Sequence, residues 1–131
     1  MKYKTCELVG ARLDAAVAKA DGWTKADDDP SGWRAPKGHA EAPCASIDQA
    51  GIRHGYGYHP AHNWKHGGPI IEREGIELHC IDRNSRRTMG EWMARHPAKL
   101  LPLQFGTTPL IAAMRAFVAS NLGEEVELPC Y

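Results

Sequence analysis

Three aromatic rings, three histidines, a Gly-Gly-Pro corner and a Glu-Arg pair fall together in the segment Tyr56–Glu74. No periodic core element requires that mixture, so the segment is the candidate site. Tyr56, Tyr58 and Trp64 offer flat faces on which a base or another planar ligand could stack, or else anchors that tie a loop to the core. Gly67 and Gly68 let backbone approach a ligand closely, and N–H groups in such a corner cradle anions. The plainer reading of Gly67-Gly68-Pro69 is a tight turn entering a strand. If Ile70 and Ile71 begin that strand, Glu72 and Arg73 point to opposite faces. Arg73 then suits a phosphate and Glu72 a sugar or amide donor, unless both are solvated surface charges.

The histidines raise a metal hypothesis. His54, His59, His62 and His66 are close in sequence, and imidazole is a common ligand for zinc. Two features weaken it. Pro60 and Gly67-Gly68 interrupt any helix that would align the rings, and no glutamate falls between the histidines as in His-Glu-x-x-His. No metal and no cofactor are therefore expected. A metal-dependent hydrolase or nuclease using this cluster is the alternative function. Nucleophilic catalysis has less support, because Cys44, Cys80, Ser46, Ser85 and Ser120 lie in no Gly-x-Ser-x-Gly elbow or other activating pattern. The basic group Arg83, Arg86, Arg87, Arg95 and Lys99 is either a solvated turn or a surface for an acidic or phosphate-bearing partner.

Two amphipathic helices must carry this segment. In the first, Val9, Leu13, Ala16, Val17 and Ala20 form one apolar stripe, with Thr5 as the expected cap and Gly22 as the stop. In the second, Thr108 caps, Pro109 takes the first position, Leu110 to Leu122 supply a broad buried face and Gly123 ends it. Between them Ile76, Leu78 and Cys80 alternate with polar residues as a half-buried strand. Glu91–Arg95 fits either a short helix or a strand, and the segment bracketed by Pro97 and Pro102 reads as irregular. Val126–Leu128 reads as a short closing strand. Residues 24–54 are a long Pro/Gly-rich loop or insertion, parts of which Trp23 and Trp33 would fold back onto the body. The expected architecture is α+β: one small domain over 1–131, two main helices packed on a short antiparallel sheet, and this irregular loop.

Composition narrows the function. Sixteen basic and sixteen acidic residues cancel in a chain of 131 residues, which argues against nonspecific nucleic-acid binding and leaves homo-oligomerisation open. No apolar run approaches the roughly 20 residues of a membrane span. With no apolar leader at the N-terminus, the cytoplasm is the expected location. The widely spaced Cys6, Cys44, Cys80 and Cys130 read as free thiols rather than a zinc or disulfide framework.

Four blocks carry a family resemblance: Thr5-Cys-Glu-Leu through Ala16-Val-Ala-Lys-Ala20, Trp64-Lys-His-Gly-Gly-Pro-Ile-Ile-Glu-Arg-Glu74, Trp92-Met-Ala94, and Gly106-Thr-Thr-Pro-Leu-Ile-Ala-Ala-Met-Arg-Ala-Phe-Val118. Together they resemble the NinX-like family of small phage and prophage proteins. The resemblance implies a bacteriophage or prophage origin and an accessory role in the host cytoplasm. It brings no catalytic residue and no cofactor. The loop 24–54 departs most from the family pattern. The residues favour a non-catalytic binding or interaction module over an enzyme. Tyr56, Tyr58, Trp64, Gly67, Gly68, Pro69, Glu72 and Arg73 would bind a small polar, nucleotide-like ligand or a host protein.

Overall fold

Helix α3 (Pro109–Leu122) is the element around which the others pack. Its start is set locally: the Thr108 hydroxyl accepts the Ile111 N–H at 3.1 Å, and Pro109 occupies the first turn. Leu110, Ala112, Ala113, Met114, Ala116, Phe117, Val118 and Ala119 are all buried. A helix apolar on more than one face must be covered on more than one. Here the sheet and helix α1 (Gly10–Ala20) both pack on it.

The computed structural model describes residues 1–25, 33–34, 58–81 and 91–128. Its main sheet is an antiparallel meander of β4 (Glu77–Cys80), β5 (Trp92–His96) and β6 (Lys99–Gly106), in that order. The register sets Leu78 beside Ala94 and Ala94 beside Gln104. Ala94 and Gln104 are buried, and Leu78 packs against the core. Glu77 pairs with Arg95 on the outer side of the same sheet. Two smaller antiparallel pairs are formed among the described residues. One joins β1 (Lys2–Lys4) to β7 (Glu125–Glu127), and the other joins β2 (Thr24–Lys25) to β3 (Trp33–Arg34). The domain is α+β, as the sequence predicts, with a third helix, α2 (Trp64–Glu74), in addition to the two expected.

Several local expectations change. Thr5 does not cap α1: it sits in a single 3-10 turn, Thr5–Glu7, where its hydroxyl donates to the Gly123 carbonyl at 2.7 Å. Helix α1 starts later, at Gly10, but ends as predicted. With Gly22 at φ 88°, the Trp23 N–H reaches back to the Ala18 carbonyl at 2.9 Å and the Gly22 N–H to Lys19 at 3.3 Å. This six-to-one and five-to-two pairing closes the helix and directs Trp23 into the core. Glu91–Arg95 resolves as strand. The supposedly irregular segment after Pro97 is the hairpin partner β6, where Pro102 is accommodated on an edge strand. The loop 24–54 contributes the short β2–β3 pairing, and the rest of it lies outside the described residues, as do Cys44 and Cys130.

Candidate functional site

The Gly-Gly-Pro segment is not a corner. Trp64–Glu74 is a continuous α-helix that contains Gly67, Gly68 and Pro69, so Ile70 and Ile71 start no strand. Glycine costs about 1 kcal/mol and proline about 3 kcal/mol relative to alanine inside a helix. The surroundings must supply what propensity withholds. Asn63 caps the helix by accepting the Lys65 N–H at 2.9 Å, and Gly75, at φ 68°, closes it. His66, Gly67 and Ile70 are buried on its inner face.

Gly67 has a packing role. A Cβ there would lie 2.5 Å from the Pro60 carbonyl oxygen and 2.6 Å from Leu110 Cδ2. Only glycine lets α2 settle this close to the preceding turn and to α3. Gly68 differs: the nearest contact of an added Cβ is Trp64, at 3.9 Å. Trp64 is 54% exposed. Pro69, Glu72 and Arg73 are exposed as well, and Gly68 is half-buried. Positions 64, 65, 68, 69, 72 and 73 thus recur along the helix as one outward face.

Beneath this helix the aromatic residues form a stack. Tyr58, only 1% exposed, lies against Trp23 with ring centroids 4.5 Å apart and planes 22° apart. His66 follows at 5.5 Å from Tyr58, and His59 stacks on His66 at 6.0 Å and 14°. The His59 N–H donates to His66 Nδ1 at 2.9 Å, so that nitrogen is an acceptor and the proton of a neutral ring sits on Nε2. His62 flanks His59, with centroids 5.5 Å apart. Tyr56 and His54 lie outside the described residues.

Of the eight residues proposed from sequence, Trp64, Gly68, Pro69, Glu72 and Arg73 share the outward face of α2. Tyr58 and Gly67 face the interior. Arg73 is already engaged: its Nη2 lies 2.8 Å from Asp21 and its Nε 3.0 Å from Glu74, with the guanidinium 5.7 Å from the Phe117 ring centre. Glu74 in turn meets His96 Nε2 at 3.0 Å, while the Ala98 N–H donates to His96 Nδ1 at 3.0 Å. The hydrogen bond from His96 holds the Glu74 carboxyl below its ordinary range; burial opposes this, and the bond and charge of Arg73 add to it. Asp21, Arg73, Glu74 and His96 therefore link the ends of α1 and α2 to the β5–β6 turn.

Sequence reasoning missed Asp14. It is fully buried within the apolar stretch Leu13–Ala18 of α1, and its Oδ1 accepts the Ala61 N–H at 2.9 Å. The signal was the lone carboxylate in that stretch. Sequence reasoning also missed a concavity of about 260 Å³ lined by Thr5, Cys6, Leu103, Gln104 and Glu124 among others. The buried Gln104 Oε1 has no hydrogen-bond partner among the described residues. Cys6 and Cys80 are free thiols.

The chain is a small α+β domain in which a proline- and glycine-bearing helix lies over an aromatic stack. Residues 4–121 match the family described as Bacteriophage P22, NinX, and the chain belongs to that family. Comparison with curated proteins gave no match. Among the described residues no helix is long and apolar enough to cross a membrane.

Proposed function

We propose that this phage accessory protein works by binding rather than catalysis, and that the outward face of α2 is its recognition surface. The supporting observation is that the face breaks folding rules with no compensating gain in packing. Gly67 is explained by the close approach of Pro60 and Leu110. Gly68 and Pro69, which weaken the helix, and Trp64, which leaves a large apolar ring in water, have no such explanation. Local rules are broken in this way at functional sites.

The partner class follows from shape. An outward helix face lacks the concave walls that enclose a small molecule, and none of the seven described candidates is among the residues lining the concavity beside Gln104. A host protein is the better fit. Its docking patch would supply an apolar pocket for the Trp64 indole, with polar groups meeting Lys65 and Glu72 at the rim.

The test is co-purification from host cells, comparing the wild-type chain with Trp64→Ala and with Pro69→Arg. A partner retained by the wild type and lost from both variants, at unchanged circular dichroism, supports the reading. Identical partners on all three proteins would refute it.

A further inference from the structure

We propose that Asp14, His59 and His62 hold one divalent transition-metal ion of the zinc class, clamping the turn before α2 to helix α1. Each of the three offers one ligand atom, and these atoms lie within 4.8 Å of one another. Two imidazoles and a carboxylate are the donor set of many zinc and non-haem metal sites.

The backbone brings the three together. The His59 carbonyl accepts the N–H groups of His62 at 3.2 Å and Asn63 at 2.8 Å, folding the chain into one tight turn. Both imidazoles thereby come to one side. Asp14 pins the middle of that turn through Ala61, so its carboxylate sits between the residues that flank it. Stacking of His59 on His66, together with the His59 N–H to His66 Nδ1 bond, restrains the first ring. His62 is exposed, which gives an ion a route in and leaves its remaining coordination positions to water.

Metal bonds of about 2.1 Å place ligand atoms roughly 3 Å apart. The three groups, already within 4.8 Å of one another, must draw in by a distance on the order of 1 Å, and the exposed His62 side chain is the one with room to move. The third ligand, a carboxylate, thus comes from α1 rather than from the histidine segment. The inference does not depend on the α2 surface being a docking site, and the two fail by different measurements.

The experiment is a zinc chloride titration of the full chain without a histidine tag, by calorimetry and thermal unfolding. The expected result is one ion per chain, with a rise in Tm of about 8–14 °C at zinc 100-fold above the dissociation constant. His62→Ala should weaken binding at least tenfold without loss of fold, because the side chain is exposed. Asp14→Asn should do the same while keeping an acceptor for the Ala61 N–H. His79→Ala, on the outer side of β4, should change nothing. Zinc binding equally tight in His62→Ala identifies adventitious surface binding and overturns the proposal. Absence of binding at 0.1 mM zinc, roughly a thousandfold above the dissociation constant of a site worth about 10 kcal/mol, overturns it as well.

Discussion

The two adjacent glycines of α2 make opposite demands on a side chain. A methyl group at position 67 meets a backbone carbonyl and a buried leucine, neither of which can yield freely. Gly67→Ala is therefore expected to destabilise the fold by about 1–3 kcal/mol in urea unfolding. At position 68 the added methyl has room, and the gain in helix propensity is offset by crowding against Pro69. Gly68→Ala should stay within about 1 kcal/mol of the wild type. Two aromatic residues of the same motif separate in the same way. Tyr58 is sealed between Trp23 and His66, so Tyr58→Ala should cost about 3–5 kcal/mol. Trp64→Ala, at an exposed site, should change stability by no more than about 0.5 kcal/mol. If Trp64→Ala were the more damaging of the two, the assignment of inner and outer residues would be wrong. Asp14 belongs to this scale too, as a buried carboxyl group that an apolar stripe conceals in the linear sequence.

The elements were legible where local chemistry and tertiary packing agree. Thr108, Pro109 and Gly123 mark α3 so plainly that Thr108→Ala should cost about 1 kcal/mol through the lost cap. Gly22 and the Val126 strand read equally well. Helix α2 was hidden because Gly67, Gly68 and Pro69 argue for a turn, while the contacts that hold it come from outside it: the preceding turn at Pro60, and Leu110 of α3, distant in sequence. The Asn63 cap and the terminal Gly75 were the usable signals. Strand β6 was hidden by Pro102, because sequence alone does not show that the strand lies at an edge. The junction of α1, α2 and the β5–β6 turn carries a pH dependence. Glu74 has a depressed folded-state pKa, led by the His96 hydrogen bond, so its contribution is fully present above the ordinary value of 4.5 and is lost as pH falls below it. Glu74→Gln should accordingly lose less stability than the wild type between about pH 5 and pH 3, measured by denaturant unfolding at each pH.

At the scale of the whole molecule, α3 forms a rigid centre for a sheet and two further helices, and α2 lies at the periphery with its rule-breaking residues outward. The chain's balanced charge, sixteen basic against sixteen acidic residues, leaves no net charge to steer a partner at long range. Recognition in this account rests on short-range contact at α2. Family membership establishes the phage setting, and the α+β fold was expected from the periodicity of α1 and α3 together with the alternation of Ile76, Leu78 and Cys80. The candidate segment stands out in sequence as an unusual stretch, but its geometry depends on packing against Leu110 and α3 that the stretch itself does not encode. The most direct measurement is photo-crosslinking in host cells, with a benzophenone side chain placed at position 64, at position 68 or at Glu125, an exposed residue of β7. The account predicts one discrete heterologous adduct from positions 64 and 68 and none from 125. The same adducts from all three positions, or none from α2, would contradict it.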